Sequence, residues 1–147
     1  MIRLLYHNSG SLGISNNSHN LEFICEAIYT HEVDIGSLVE TNTHWKHDKS
    51  IPKLKHVLKQ FWSRINISTL EIITPWKSIY KPGGSVIIST PNIASTIINT
   101  GEDKEGLGRW SYVTYGGKNQ KRVTIISAYR PCVPNDNQGV STAYSQQ

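Results

Sequence analysis

Three polar residues follow or close predicted strands, and their side chains suit the binding of a cation and a phosphate. Asn8 directly follows a short apolar run, and Glu40 closes a second one. Ligands in α/β proteins gather at the carboxyl ends of strands. A carboxylate beside a carboxamide offers the oxygen ligands that a hard cation such as Mg²⁺ prefers. Tyr129, which ends the last predicted strand, adds a hydroxyl that can donate a hydrogen bond to a phosphate.

Arg130 directly follows Tyr129, and its guanidinium group can donate paired hydrogen bonds to phosphate oxygens. The same residues have plainer interpretations, which the sequence leaves open. Glu40 can be a solvated strand end, and Tyr129 with Arg130 can be an ordinary polar pair at the rim of a sheet. Gly83 and Gly84, which precede another apolar run, can be a simple turn.

The elements that would position these residues alternate between strand and helix in the first half of the chain. An apolar run predicts a strand over 2–7, a turn-rich loop over 8–20 follows, and a buried strand is predicted over 34–40. Two helices are predicted from apolar residues at helical spacing, namely Leu21, Ile24, Cys25 and Ile28 in the first and Leu54, Val57, Leu58 and Phe61 in the second. Ser50, with Pro52 after it, is typical of the start of the second helix.

The second half of the chain is predicted to be a series of strands joined by tight turns. Its β-branched runs lie at 66–74, 85–89, 94–99, 110–115 and 122–129. The turn signals between them include Pro-Gly-Gly, Gly-Glu-Asp-Lys-Glu-Gly and Gly-Gly-Lys-Asn. The order β-α-β-α followed by strands predicts a layered α/β (α+β) fold with a mixed or antiparallel sheet rather than a doubly wound parallel one.

Length and composition bound the class of protein. The 147 residues suffice for about one domain. No apolar run is long enough to cross a membrane, and the amino terminus turns polar too early for a signal peptide. We therefore expect an intracellular protein, nuclear or cytoplasmic, that is not secreted.

The charge of the chain is unevenly distributed. Residues 1–74 carry 7 Lys or Arg and 7 Asp or Glu, whereas residues 75–147 carry 8 and 4, which accounts for the formal net charge of +4. A basic second half is compatible with a polyanionic partner, because phosphates attract Lys and Arg. Many ordinary domains carry a similar charge, so this feature alone does not select a function.

The cysteines and histidines predict no metal cluster. Two cysteines are not a disulfide scaffold, so Cys25, in a predicted helix, and Cys132, in a predicted loop, are predicted to be free thiols in a reducing compartment. No CxxC or CxxH spacing typical of a metal site occurs. His44 and His47 have a spacing that can bind a transition metal on a helix, but no third ligand accompanies them. The predicted cation site therefore depends on Asn8 and Glu40.

In order and spacing, these segments resemble the amino-terminal half of the endonuclease/exonuclease/phosphatase superfamily, which includes DNase I and exonuclease III. The segments are Asn8, Val39-Glu40-Thr41, Gly83-Gly84, Gly108-Arg109-Trp110 and Tyr129-Arg130-Pro131. The extension of the last one to Cys132 and the closing Gln146-Gln147 are most similar to the endonuclease domains that precede reverse transcriptase in non-LTR retrotransposons. The resemblance covers nearly the whole chain.

The resemblance implies a four-layer α/β/β/α sandwich of the DNase I type and Mg²⁺-dependent hydrolysis of a phosphodiester, with Mn²⁺ as the alternative cation. It implies that Glu40 is the metal-binding carboxylate and that Asn8 orients the metal and the phosphate. Tyr129 would contact the scissile phosphate, and Arg109 and Arg130 would contact the phosphate backbone. The implied partners are DNA and a reverse transcriptase in the same polypeptide, and no membrane is implied.

The chain differs from the superfamily pattern within its early motifs and by the absence of two later ones. Gly10 stands where the first motif usually has a second Asn or Asp, and Val39 replaces the glutamine of Gln-Glu-Thr. The Asp-x-Asn and Ser-Asp-His motifs, which supply the base that activates water and its orienting aspartate, are absent from the chain. Removal of a general base alone costs orders of magnitude in rate. We therefore expect this chain to be inactive by itself.

The last residues also indicate an incomplete domain. Ser141 or Thr142 is typical of a helix cap, and the sequence stops about one turn later. We expect residues 1–147 to be a domain without its carboxyl-terminal half. Half a sandwich should bind the dye ANS, because it would leave the inner face of a sheet in water. The residues expected on that exposed face include Ile87, Ile97 and Ile125.

Three functions stay open on the sequence alone. The first is part of a metal-dependent DNA endonuclease of retrotransposon type. The second is a phosphatase or phosphodiesterase of the same superfamily that acts on small or lipid phosphates. The third is a non-catalytic remnant or nucleic-acid-binding module, which Gly10 and the absent motifs favour.

Overall fold

The computed structural model describes residues 1–14, 19–70, 83–102 and 110–129, which form two β-sheets and a small set of helices. The first sheet contains β1 (Leu4–Asn8), β2 (Ile35–Val39), β3 (Asn66–Leu70) and β4 (Ser85–Ser89) in the order β1-β2-β4-β3. The second sheet contains β5 (Ile97–Glu102), β6 (Trp110–Gly116) and β7 (Arg122–Ala128) in chain order. The helices are α1 (His19–Thr30), α2 (Ser50–Leu58) and α3 (Pro91–Ala94), and a 3-10 turn over Lys118–Gln120 joins β6 to β7.

The pairing of the strands confirms the predicted α/β class. β1 and β2 run parallel, and the other neighbouring strands of both sheets are antiparallel. Strands joined by tight turns can only be antiparallel, whereas the parallel pair needs a crossover, which α1 supplies. In the part of the chain described, no helix is both long enough and apolar enough to cross a membrane.

The helices α1 and α2 cover one face of the first sheet. α1 buries the residues whose helical spacing predicted it, namely Leu21, Ile24, Cys25 and Ile28. α2 buries Leu54, Val57 and Leu58. These side chains share one core with Leu38, Val86 and Ile88 of the sheet. The approach of α1 is close, because a Cβ on Gly36 would lie 2.9 Å from Ile28 Cδ1.

The second sheet packs against the other face of the first sheet. Ile35 and Ile87 form a second buried core with Val113 and Tyr115 across the interface. The expectation that Ile87 faces water is therefore wrong, since its side chain is fully buried. Ile97 and Ile125 are partly buried against the same core. The reason is that β5, β6 and β7 already cover this face.

Two local features differ from the expectation. The strand predicted over 94–99 begins only at Ile97, because Pro91 stands in the first turn of α3, where its fixed φ and missing N–H are tolerated. β1 lies at the edge of its sheet, so Leu4 and Tyr6 stay 58% and 60% exposed while Leu5 packs against the helices. Residues 71–74 of the predicted third strand lie outside the described residues.

The ends of several strands lie together on one side of the sandwich, and we call this side the site edge. β1 ends at Asn8, which pairs in register with Val39 at the end of β2. β4 begins opposite Val39. β7 ends at the same edge, because the Tyr6 hydroxyl of β1 donates a hydrogen bond of 3.0 Å to the carbonyl of Ala128.

Candidate functional site

Asn8 lies exposed at the site edge and shapes the loop that follows it. Its Oδ1 accepts a hydrogen bond of 3.1 Å from the backbone N–H of Gly10. Gly10 has φ +59°, a conformation that glycine adopts without steric cost. The glycine that replaces the second polar residue of the superfamily motif therefore allows a tight turn after β1, in which the Asn8 carboxamide takes part.

Glu40 lies next to this turn, half-buried at the end of β2. Its φ is +52°, which is uncommon for a residue with a Cβ. Ser9 holds the strand end in place, because its hydroxyl lies 2.9 Å from the Val39 carbonyl and 3.2 Å from the Glu40 carbonyl. Within the described ranges, the Glu40 carboxylate has no hydrogen bond or ion pair. It is therefore available to a ligand.

Tyr129 follows β7 directly and is half-buried. The hydrogen bond from Tyr6 to Ala128 places it at the same edge as Asn8 and Glu40. The three strand-end residues singled out in the sequence thus come from three different strands and lie at the same edge of the sandwich. Arg109 and Arg130 lie outside the described residues, so their predicted phosphate contacts stay predictions.

Asn42 is a site-edge residue that sequence reasoning missed. Its Nδ2 donates to the Gly10 carbonyl at 2.9 Å, and its Oδ1 accepts from the Gly83 N–H at 2.8 Å. Its own backbone N–H donates to the Gly83 carbonyl at 2.8 Å. The asparagine after Glu40-Thr41 was the only signal, since Asn tolerates left-handed backbone and often bonds to nearby main chain.

Thr41 completes the connection between the same loops. Its N–H donates to the Gly84 carbonyl at 3.2 Å, and its own carbonyl accepts from the Leu12 N–H at 3.0 Å. The Thr41 hydroxyl accepts a hydrogen bond of 3.1 Å from the buried Trp45 indole. The Gly83-Gly84 turn, which the sequence left open as a simple turn, is therefore bonded directly to the segment that carries Glu40.

The donor set at the site edge fits a hard divalent cation. Glu40 supplies a carboxylate and Asn8 a carboxamide oxygen, and oxygen ligands suit Mg²⁺. The described residues contain no group of three His, Cys, Asp or Glu side chains that could hold a metal. Mg²⁺ is commonly bound through one or two carboxylates together with waters and substrate phosphates, so a single protein carboxylate is compatible with this cation.

Among the described residues, the histidines and Cys25 belong to no group of three side chains that could hold a metal. The imidazole centroids of His44 and His47 lie 5.9 Å apart, but His47 Nδ1 lies 2.9 Å from Asp48 Oδ1. Cys25 is a free thiol, as predicted, and burial raises its pKa to about 12. A thiol with that pKa is almost fully protonated near neutral pH and is a poor nucleophile or metal ligand. Cys132 lies outside the described residues.

The fold has clear counterparts among solved structures. It is similar to the AP endonuclease LMAP from Leishmania major, with a TM-score of 0.63, 11% identity and coverage of 87% of this chain and 40% of that one. It is also similar to an endonuclease/exonuclease/phosphatase family protein from Leptotrichia buccalis C-1013-b, with a TM-score of 0.60, 11% identity and coverage of 89% and 54%. A third structure, the endonuclease/exonuclease/phosphatase from Beutenbergia cavernae DSM 12333, gives a TM-score of 0.51, 14% identity and coverage of 87% and 38%.

These similarities are similarities of fold. No protein-family model and no curated protein sequence matches the chain. The chain spans about half the length or less of the three structures that it matches. The DNase I-like architecture implied by the sequence resemblance is confirmed.

Proposed function

We propose that this chain, which has the fold of the endonuclease/exonuclease/phosphatase superfamily, carries the metal- and phosphate-binding edge of a divalent-metal-dependent phosphodiesterase. The observation that carries the proposal is the convergence of Asn8, Glu40 and Tyr129 at one edge of the sandwich. A solvated strand end has no need of the hydrogen bonds that hold Glu40 in its uncommon backbone conformation. Strain of this kind is concentrated at functional sites.

Each residue has a distinct part in the proposal. Glu40 and Asn8 hold the cation, which when bound neutralises phosphate charge and stabilises the leaving oxygen. Tyr129, which follows β7 of the second sheet, donates a hydrogen bond to a phosphate oxygen. Arg109 and Arg130 contact the phosphate backbone, as the sequence resemblance implies. Because Asn8, Glu40 and Tyr129 stand at the ends of three different strands of the packed sheets, a phosphodiester bound between them has a fixed orientation.

The substrate that we propose is DNA, cleaved by an endonuclease of retrotransposon type. The support is the segment Tyr129-Arg130-Pro131-Cys132, the closing Gln146-Gln147 and the excess of Lys and Arg over residues 75–147. The AP endonuclease with a similar fold favours the same class of substrate. In this proposal the protein is nuclear or cytoplasmic, a reverse transcriptase shares the polypeptide, and the chain alone is inactive because it lacks the Asp-x-Asn and Ser-Asp-His motifs.

Binding of DNA tests the proposal without requiring turnover. We expect Mg²⁺ to strengthen the binding of a labelled DNA duplex, measured by fluorescence anisotropy at fixed ionic strength. Glu40→Ala should abolish this Mg²⁺ effect, a loss of about 10-fold or more in affinity. Glu26→Ala is the matched control, because it removes the same charge from an exposed position on α1 and should leave the Mg²⁺ effect intact.

The same assay separates the alternatives. DNA binding that is independent of Mg²⁺ and survives Glu40→Ala would contradict the phosphodiesterase site and favour a nucleic-acid-binding module, whose affinity would follow salt concentration alone. Displacement of DNA by micromolar inositol phosphates would favour the phosphatase of the same superfamily, a class that the names of two similar structures include.

A further inference from the structure

Asn42 connects two loops on either side of the segment that carries Glu40. Its carboxamide donates to the loop after β1 at the Gly10 carbonyl and accepts from the turn before β4 at the Gly83 N–H. These partners lie 32 and 41 residues away in the chain. A carboxamide is the one short side chain with both a donor and an acceptor on a single planar group. Aspartate offers only acceptors and could satisfy Gly83 but not Gly10.

The connected residues share an unusual backbone conformation. Glu40 and Asn42 have φ +52° and +48°, and Gly10, Gly83 and Gly84 have φ +59°, +76° and +81°. For a residue with a Cβ this region is disfavoured, because the Cβ lies too close to the following carbonyl oxygen. Without the hydrogen bonds of the neighbouring loops, Glu40 would relax to negative φ. Its carboxylate would then point in a different direction.

We propose that Asn42 is a positioning residue that holds Glu40 in its metal-binding orientation. This inference rests on the proposed function, since it assumes that Glu40 binds the cation. Asn42 acts through the main chain: it fixes the Gly10 loop and the Gly83 turn, and Thr41 ties the Glu40 segment to Gly84 and Leu12 between them. The residue does not itself need to touch the cation or the phosphate.

The test is the affinity of the full chain for Mn²⁺ alone, measured by titration calorimetry. Asn42→Gly removes the carboxamide but tolerates the left-handed backbone, so it isolates the loss of the two side-chain hydrogen bonds. We expect its Mn²⁺ affinity to fall by about 10-fold or more, as is typical when a residue that orients a metal ligand is lost. Thr90→Ala is the matched control, because Thr90 follows β4 at the end away from the site edge. This change removes the hydrogen bond of 3.1 Å that the Thr90 hydroxyl donates to the Asp34 carbonyl.

The control variant distinguishes a changed orientation of Glu40 from a general loss of stability of the fold. Thr90→Ala should bind Mn²⁺ as the wild type does at a temperature where both variants are folded. An affinity of Asn42→Gly within threefold of the wild type, while Glu40→Ala loses binding, overturns the role of Asn42 and leaves the proposed function standing. Wild-type affinity in Glu40→Ala overturns the proposed function itself.

Asn42→Asp gives a second test if the glycine variant fails to fold. It keeps an acceptor for the Gly83 N–H but has no donor for the Gly10 carbonyl. Simple electrostatics predicts tighter cation binding, because a carboxylate is added near Glu40. Positioning by Asn42 predicts weaker binding, and affinity equal to or above that of the wild type overturns it.

Discussion

At the scale of single residues, Glu40 combines an uncommon backbone conformation with a carboxylate that has no protein partner in the described ranges. A glycine at this position would relieve the strain, since glycine adopts positive φ readily. In the proposed function, the glutamate is retained because its carboxylate binds the cation. Residues that serve a site commonly lower the stability of the fold in this way.

Glu40→Gly should be more stable than Glu40→Ala by about 1 kcal/mol, because alanine keeps the strain of the left-handed backbone and glycine removes it. Both variants lack the carboxylate, so the comparison isolates the backbone. Urea unfolding monitored by circular dichroism measures the difference. Equal stability of the two variants would mean that Glu40 is not strained in solution.

Residue types and turn signals were enough to predict that Asn8, Glu40 and Tyr129 stand at the ends of strands, because a strand ending in a polar residue is a local signal; their roles at a site stay predictions. Asn42 could not be predicted in the same way. Its partners, Gly10 and Gly83, are far away in the chain, and only the packed sheets bring them within hydrogen-bond distance. A lone asparagine after Glu40-Thr41 carries no sign of such partners.

At the scale of elements, the interface between the two sheets is marked by hydroxyl pairs rather than by apolar contacts alone. Ser37 of β2 and Ser127 of β7 are joined at 2.8 Å between their Oγ atoms. Other pairs are Ser85 with Ser111 at 3.3 Å and Ser89 Oγ with Tyr115 Oη at 2.8 Å. Burial of the Tyr115 ring raises the pKa of its phenol, and the bond to Ser89 lowers it by less. Because a buried hydroxyl needs a partner, these pairs fix how the second sheet sits on the first.

A double-mutant cycle on Ser37 and Ser127 tests this role of the hydroxyl pairs. Each single change to alanine leaves one buried hydroxyl without its partner and should cost about 1–3 kcal/mol of unfolding free energy. The double variant should cost clearly less than the sum, with a coupling of about 1 kcal/mol. The control cycle uses Thr114 and Thr124, whose hydroxyls are 3.0 Å apart on the exposed face and should couple by less than about 0.5 kcal/mol. Strictly additive effects at the buried pair would contradict its role.

The types and order of the elements followed from periodicity and turn signals, but the packing of the sheets did not. The β-branched run at 110–115 predicted a strand, but it could not show what covers either face of that strand. Ile87 is covered by Val113 and Tyr115, which lie far from it in the sequence. The start of β5 was misplaced because Ile93 and Ala94 look like a strand, while Thr90-Pro91 begins a helical turn.

At the scale of the whole molecule, apolar side chains remain exposed on the outer face of the second sheet. Trp110 and Tyr112 are stacked with ring centroids 6.1 Å apart, and Ile126, 61% exposed, lies opposite Tyr112. We call these three residues the outer patch. The expected binding of ANS stays a prediction, but its location changes from the face that contains Ile87 to this patch.

Ile126→Thr should reduce the fluorescence of bound ANS because it interrupts the outer patch, while threonine keeps a β-branched side chain in the strand. Its melting temperature should change little, since the side chain is largely exposed. Phe23→Ser is the control, because Phe23 is 70% exposed on α1, away from the patch. An equal loss of fluorescence in both variants would contradict a localised dye site.

The most direct test of the metal site is Mn²⁺-induced broadening of backbone amide signals in the ¹⁵N-labelled chain. Broadening should begin at Asn8, Gly10, Glu40 and Thr41 and should leave Lys118, at the turn beyond the opposite edge of the sandwich, unaffected. Glu40→Ala should abolish the effect. Broadening centred on His44 and His47, or preserved in Glu40→Ala, would contradict a cation site at the edge where β1, β2 and β7 end.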